Sequence, residues 1–106
     1  MNYKVILTDM AVSYIKDIDK YIAINQKMPE TAYKFINEIK MSIESLKSMP
    51  ERHRRFDHPL LKRENIRVFP YKSYLIFYNV NNKKNIVEVL RVVSTSKDID
   101  KIFKKS

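Results

Sequence analysis

Positively charged side chains stand close together in a stretch of the chain that lacks helical or strand-like periodicity. Residues 51–65 contain a basic run whose guanidinium forks and ammonium groups suit phosphate oxygens: Arg52, Arg54, Arg55, Lys62 and Arg63. A solvated surface loop is the alternative interpretation. The density of charge favours contact with the phosphates of a nucleic acid.

Three further cations are predicted to lie on or beside strands, which hold a side chain more rigidly than a loop does. Arg67 lies within a short strand, where a guanidinium can stabilise negative charge that develops on a phosphorane. Arg91 lies in the most apolar strand, so it must be paired or reach an open face of the sheet. Glu88 has the wrong parity to be its partner on that strand. Lys97 follows the strand and is expected at the rim of the sheet, and Arg91 is a further candidate for nucleic-acid contact.

Proton transfer would fall to histidine or tyrosine side chains. His58, in a proline-containing loop with His53, is a candidate acid or base because an imidazole ordinarily titrates near neutrality, although a surface-loop histidine is the favoured interpretation. Tyr74 and Tyr78 share one face of a predicted strand, and a tyrosine can stack on a base or donate a proton. Packing in the core or on the sheet surface is the default interpretation for both. Neither histidine has further ligands at usable spacing, so no metal site is predicted.

The net charge of +9 is distributed unevenly along the chain. Residues 1–50 hold seven Lys or Arg against six Asp or Glu, a net of +1, whereas residues 51–106 hold fourteen against six, a net of +8. A concentrated positive field attracts polyanions, so we predict a polyanionic partner. A soluble basic protein without such a partner is the alternative.

Composition excludes several classes of protein. The chain has no cysteine, which rules out disulfides, thiol nucleophiles and cysteine-based zinc sites, and no glycine, which rules out phosphate-cradling glycine loops. We therefore expect no nucleotide cofactor. No apolar run approaches the ~20 residues of a membrane span, and the N-terminus lacks the apolar core of a signal peptide. These features predict a cytoplasmic protein without a membrane partner, in which residues 1–106 form a single domain.

Periodicity predicts an α+β protein of the order β-α-α-β-β-β-α. A strand at 2–8 leads into a helix capped by Thr8 or Asp9, and a second helix begins at Pro29 and ends at Pro50. Strands follow at 66–69, 73–80 and 86–94, and a short helix follows near 99–103. In the loop at 81–85, asparagine takes the positions that need positive φ.

These elements predict a helical hairpin packed on one face of a mostly antiparallel four-stranded sheet. The opposite face, or its rim, would then be free for a ligand. We expect the cations of the second half of the chain to gather around that single exposed side, where an RNA or protein surface can dock.

Several segments together resemble the RelE/ParE superfamily of toxins. Residues 74–80 (YLIFYNV), 87–93 (VEVLRVV) and 96–99 (SKDI) are similar to its C-terminal signature. The opening strand that runs into a helix, and the end of the second helix at 45–52 (SLKSMPER), are also similar to it. The resemblance covers nearly the whole chain and implies a small bacterial toxin that an antitoxin neutralises by wrapping its surface.

The resemblance implies one of two mechanisms. RelE-like members enter the ribosome and cleave mRNA without a metal or cofactor, whereas ParE-like members poison DNA gyrase without known catalytic residues. Arg67 lies near the position of a RelE-like catalytic lysine, and Lys97 retains a suitable charge. In contrast, Leu75 stands where RelE-like members have an arginine, and Ser94 or Thr95 where many have a histidine.

Two functional hypotheses follow from this resemblance. In the first, a ribosome-dependent endoribonuclease uses Arg67 and Lys97 to stabilise charge on the phosphate, and Tyr74 or His58 to transfer protons. In the second, the chain binds and poisons gyrase without chemistry of its own. The leucine at position 75 favours the second hypothesis, but the high charge favours the first, so the sequence predicts mRNA cleavage, with gyrase poisoning as the alternative. An inactive relative that only pairs with its antitoxin is a third interpretation. In either case the antitoxin is expected to carry an acidic, amphipathic segment that covers the helical hairpin or the basic face.

Overall fold

The computed structural model describes residues 2–56 and 65–96, in which two helices pack on a four-stranded sheet. The strands are β1 (Lys4–Leu7), β2 (Ile66–Tyr71), β3 (Tyr74–Asn81) and β4 (Ile86–Ser94), in the spatial order β1-β4-β3-β2. β1 runs parallel to β4, and the other neighbouring pairs are antiparallel. The predicted α+β class and the mostly antiparallel sheet are therefore confirmed. The helix predicted near 99–103 lies outside the described residues.

The two helices begin where local signals predict. α1 (Asp9–Lys20) is capped by Thr8, whose hydroxyl accepts a hydrogen bond from the backbone N–H of Ala11 at 3.1 Å. A π-helical turn at Tyr21–Asn25 ends the first helical segment, a feature that the sequence pattern did not indicate. α2 (Pro29–Glu44) starts with proline in its first turn, and 3₁₀ turns follow at Ser45–Lys47 and Pro50–Arg52.

The main core lies between the helices and one face of the sheet. It combines side chains from both helices with alternate residues of β3 and β4, including Ala11, Ile15, Ile39, Ile43, Ile76, Tyr78, Val87, Val89 and Val92. Burial of this apolar area stabilises the hairpin on the sheet, at roughly 1.5–3 kcal/mol for each large side chain.

A β-bulge on β4 changes which side chains share a face of the sheet. Phe77 and Asn79 lie on the same face of β3 because strand side chains alternate. Asn79 pairs with Glu88, whereas Phe77 pairs with Arg91, so Leu90 is an extra residue on β4. Glu88 and Arg91 consequently lie on the same face, away from the helices. The prediction that Glu88 has the wrong parity relative to Arg91 is wrong.

The face of the sheet opposite the helices is closed at its centre. Val68, Phe77 and Val93 form a second apolar cluster there and are at most 3% exposed. The ring of Phe56 covers Phe77 edge-on, with 4.9 Å between centroids. The prediction that this face is free for a ligand is therefore wrong for its centre, because its own apolar side chains pack over it.

Part of the predicted basic connection is ordered along the outer edge of β2. The N–H of Phe56 donates to the carbonyl of Ile66 at 2.8 Å, and the N–H of Val68 donates to the carbonyl of Arg54 at 3.1 Å. These bonds enclose an antiparallel bridge between Arg55 and Arg67. Residues 54–56 thus extend the sheet beyond β2, which the absence of periodicity did not indicate.

Candidate functional site

Arg67 is fixed by hydrogen bonds that tie β2 to the turn before it. Its Nη1 donates to the carbonyls of His53 (2.8 Å) and Glu51 (3.2 Å), its Nη2 to Oε2 of Glu51 (3.2 Å), and its Nε to Oδ1 of Asn65 (3.0 Å). These contacts engage most of the five N–H donors of a guanidinium. The side chain is 15% exposed, so it lies largely within the protein. Its predicted catalytic role stays a prediction, and its geometry is that of a structural anchor.

Arg52, a predicted nucleic-acid contact, closes the C-terminal end of the second helical segment. Its Nη1 donates to the carbonyl of Ser48 at 2.6 Å and to those of Ser45 and Met49 at 3.3 Å, and its Nη2 donates to the hydroxyl of Ser45 at 2.9 Å. Backbone carbonyls at a helix end lack partners within the helix and attract cations. This arginine therefore has a capping function that charge patterning alone did not reveal.

His53 and Tyr78 lie beside the same turn, and both are largely removed from water. Tyr78 is 0% exposed and donates to the carbonyl of Pro50 at 2.6 Å, and burial raises its pKa to about 12. The imidazole of His53 stacks on Phe69 with 4.6 Å between ring centroids, and its buried Nε2 has no hydrogen-bond partner among the described residues. Desolvation, and to a smaller extent the charge of Arg52, lowers the pKa of His53. Both side chains are therefore neutral near pH 7.

Arg54 and Arg55 are exposed on the strip that extends the sheet beyond β2. Arg55 lies directly opposite Arg67 in a bridge without hydrogen bonds of its own, where Cα atoms are typically about 4.5 Å apart. Like charges in that arrangement repel each other. The carboxylate of Glu51 offsets part of this repulsion, and the strip remains a compact positive surface.

Arg91 lies on the closed face and is 7% exposed. Its Nη1 donates to the hydroxyl of Tyr14 on α1 at 3.2 Å. Tyr14 packs against both apolar clusters, which places it at the edge of β4.

The arginines on β2 and β4 lie on opposite faces of the sheet. Arg67 shares the helix-covered face with its cross-strand neighbour Tyr78, whereas Arg91 shares the opposite face with Phe77. For Arg67 and Arg91, the two strand cations that the structure describes on β2 and β4, the expectation that they lie on a single exposed side is therefore wrong.

Tyr74 borders an open cavity of about 550 Å³ at the rim of the sheet. The cavity lies between one stripe of α1 and the ends of β3 and β4, and it is lined by Tyr14, Asp17, Ile18, Tyr21, Tyr74, Val92, Val93, Ser94 and Ser96. Burial, with a smaller contribution from Tyr21, raises the pKa of Tyr74. This cavity is an accessible part of the rim that the sequence predicted to be free. The sequence analysis did not single out the α1 side chains that line it.

Among residues 2–56 and 65–96, the predicted catalytic residues are Arg67 and Tyr74, and the structure places them on different parts of the sheet. Arg67 pairs with Tyr78, which is four residues from Tyr74 along β3, a separation of about 13 Å at the usual rise of a strand. The backbone therefore does not place these two residues next to each other on the sheet. His58, Lys62, Arg63 and Lys97 lie outside the described residues, so their predicted roles stay predictions.

Two further properties of residues 2–56 and 65–96 bear on the function. Within this part of the chain no group of three or more His, Asp or Glu side chains has the geometry to hold a metal ion. No helix there is long and apolar enough to cross a bilayer.

Sequence comparison agrees with the fold, which is that of the RelE/ParE superfamily of toxins. The sequence profile described as the ParE toxin of the type II toxin–antitoxin system parDE matches residues 5–99. Because this match spans most of the 106 residues, the chain belongs to that family of toxins. No curated protein matches its sequence significantly.

Solved structures of similar fold come from toxin–antitoxin systems. The chromosomal ParDE system from P. aeruginosa matches with a TM-score of 0.68 and 16% identity, over 87% of this chain and 95% of that one. The toxin–antitoxin complex RelBE2 from Mycobacterium tuberculosis gives 0.62 and 16%, over 89% and 99%. A mutant of E. coli RelE in the free state gives 0.57 and 15%, over 91% and 86%. At these identities the likeness concerns the fold.

Proposed function

We propose that this toxin arrests growth by binding DNA gyrase, without catalytic residues of its own, and that a cognate antitoxin keeps it inactive. The observation that carries the proposal is the engagement of Arg67, the candidate for stabilising charge on a phosphate. Its guanidinium is hydrogen-bonded to Glu51, His53 and Asn65, and its cross-strand neighbour Tyr78 lies four residues, or about 13 Å of strand, from Tyr74. The family match to a ParE toxin supports the same mechanism.

The chemistry of the described tyrosines also supports a binding mechanism. A general acid or base works best when its pKa lies near the operating pH. Tyr78 is fully buried with a pKa of about 12, and the pKa of Tyr74 is raised by burial as well. Neither phenol is tuned toward neutrality. Leu75, in place of the arginine of RelE-like members, removes a further charge from β3.

Exposed apolar side chains on α2 support an antitoxin partner. Tyr33 and Met41 are 73% and 74% exposed, and their spacing of eight residues places them on the same side of the helix. An amphipathic segment laid along this helix would cover them. Related structures from P. aeruginosa and M. tuberculosis are of toxin–antitoxin systems, which fits such a partner.

Messenger RNA cleavage is the alternative, and the net charge of +8 on residues 51–106 favours it. It would require the residues outside the described part of the chain, His58, Lys62, Arg63 and Lys97, to form a site with the exposed arginines. In this case the ribosome and its mRNA, rather than gyrase, would be the target.

Induction of the chain in a bacterial host separates the two mechanisms. We expect a reporter plasmid to lose negative supercoiling while primer extension shows no codon-linked cuts in mRNA. The unfolded variant Ile39→Asp, which places a charge in the core, is the control and should be harmless. Codon-linked cuts with unchanged plasmid supercoiling would reject the gyrase mechanism in favour of cleavage.

A further inference from the structure

The cavity at the rim of the sheet has a chemical character unlike that of the rest of this basic protein. One side of the cavity is helical: Tyr14, Asp17 and Ile18 of α1 and Tyr21 of the π-helical turn follow one another at helical spacing and form one stripe. Tyr74 faces that stripe from β3. Three tyrosine side chains and one carboxylate therefore bound the same volume.

Asp17 is the acidic member of this lining. No hydrogen bond or ion pair from residues 2–56 or 65–96 engages its carboxylate, in a chain with 21 Lys and Arg against 12 Asp and Glu. The guanidinium of Arg91 donates a hydrogen bond to α1 at the hydroxyl of Tyr14, not at the carboxylate of Asp17. The carboxylate of Asp17 thus remains available to a guest in the cavity.

We propose that this cavity binds a cationic side chain, a lysine or an arginine, from a partner protein. The electron-rich faces of tyrosine rings attract ammonium and guanidinium groups, and a carboxylate at the edge of the ring cluster supplies the counter-charge. The hydroxyls of Ser94 and Ser96, 2.9 Å apart, add acceptors at the far end. The volume of about 550 Å³ accommodates such a side chain with its stem.

A protein, rather than a free small cation, is the source that fits the surroundings of the cavity. Tyr21, Ile24 and Met28 continue from its rim over the end of the helical hairpin and are 52%, 66% and 47% exposed. This apolar strip offers contact area to the residues that flank the bound cation. The long-range field of a chain with charge +9 does not concentrate free cations, so local contacts must provide the affinity. The proposal is independent of whether the toxin acts on gyrase.

Titration with N-acetyl-arginine amide, followed by NMR of the isotope-labelled full chain, tests the site. We expect saturable shifts at Tyr21, Tyr74 and Ser94, and no saturable shifts with the uncharged analogue N-acetyl-norleucine amide. Asp17→Asn should weaken binding about tenfold, as expected when a charged hydrogen-bond acceptor is lost. Tyr21→Ala should weaken it about threefold through loss of one ring.

Matched controls lie on α1 and α2 but outside the cavity. Asp19→Asn removes another exposed carboxylate of α1, two residues away, and Tyr33→Ala removes an exposed tyrosine of α2; both variants should bind the arginine amide as the parent chain does. The proposal is overturned if arginine amide gives no saturable shifts, if norleucine amide binds equally well, or if Asp17→Asn binds as tightly as the parent. Tighter binding of adenosine monophosphate at the same residues would overturn it in favour of a nucleic-acid site.

Discussion

The guanidinium Nη2 of Arg67 lies 3.2 Å from Oε2 of Glu51, and this contact is the centre of a polar network at one corner of the sheet. The same carboxylate accepts hydrogen bonds from the side-chain amides of Asn65 at 3.0 Å and Asn82 at 3.4 Å. Asn82 in turn accepts from the hydroxyl of Tyr3 at 2.6 Å. The carboxylate of Glu51 thus joins the start of β2 and the β3–β4 turn to the 3₁₀ turn at Pro50–Arg52. The basic strip, Arg54 and Arg55, follows that turn.

Replacement of Arg67 should reduce stability more than it affects any chemistry. Arg67→Ala leaves the carbonyl of His53 without its guanidinium donor and removes one of the three side-chain donors to the carboxylate of Glu51, which typically costs about 1–3 kcal/mol. Urea denaturation measures the loss. Lys83→Ala, in the exposed turn between β3 and β4, is the control and should change stability by less than about 0.5 kcal/mol. An Arg67→Ala variant with unchanged stability but abolished toxicity would instead identify a catalytic or target-contacting arginine.

Tyr78 should make the fold sensitive to alkali. Its pKa is raised to about 12 in the folded protein from an ordinary value of 10, so its contribution to stability is complete below pH 10 and is lost as pH rises through 12. Two units correspond to about 2.7 kcal/mol. Between pH 9 and pH 12 the free energy of unfolding of the parent should fall by this amount, whereas that of Tyr78→Phe should not show this fall. The exposed-site control Tyr33→Phe should follow the parent. If the unfolding free energies of the parent and of Tyr78→Phe declined in parallel with rising pH, ionisation of the buried phenol would not be the cause of the decline.

His53 should make the fold sensitive to mild acid. Its pKa is lowered in the folded state by burial, so its contribution is present above the ordinary pKa of 6.5 and is lost as pH falls through the folded value. His53→Phe preserves the stacking on Phe69 and should flatten the decline in stability below pH 6.5. His58→Gln serves as the comparison, since it is the other histidine of the chain. The interpretation fails if His58→Gln, rather than His53→Phe, removes the decline.

Arg54 and Arg55 should account for part of any affinity for polyanions. Each phosphate contact contributes about 0.9 to the slope of log K against log salt on duplex DNA, so Arg54→Ser with Arg55→Ser should reduce the slope by about 2. Fluorescence anisotropy with a random DNA duplex measures it. Lys83→Ser with Lys84→Ser removes the same charge from the exposed β3–β4 turn and should have a smaller effect. Equal effects of the two double variants would show that the basic strip has no special part in binding.

Local signals in the sequence predict most of the secondary structure. The hydroxyl of Thr8 and the position of Pro29 mark the helix starts, because an N-cap acceptor and a proline in the first turn act within one turn of the chain. Asn85 adopts φ of 54°, as expected of asparagine in a chain without glycine. Such interactions depend on neighbours in sequence and are visible before the fold is known.

Features that depend on distant contacts could not be predicted in the same way. The bulge residue Leu90 is apolar like most of β4, so it leaves no mark in the pattern, yet it reverses the face on which Arg91 lies. The closed face depends on Phe56, which comes from a stretch without periodicity. In the sequence, Arg52 and Arg67 cannot be distinguished from arginines that face a partner. Only the positions of Ser48 and Glu51 in the fold show that both arginines make hydrogen bonds within the protein.

The central claim is that the toxin acts on gyrase by binding, and a supercoiling assay with purified gyrase and relaxed plasmid tests it most directly. We expect the folded chain to inhibit supercoiling in proportion to its concentration, and Arg67→Ala to inhibit equally at temperatures where that variant remains folded. Full supercoiling activity in the presence of excess folded toxin would contradict the account.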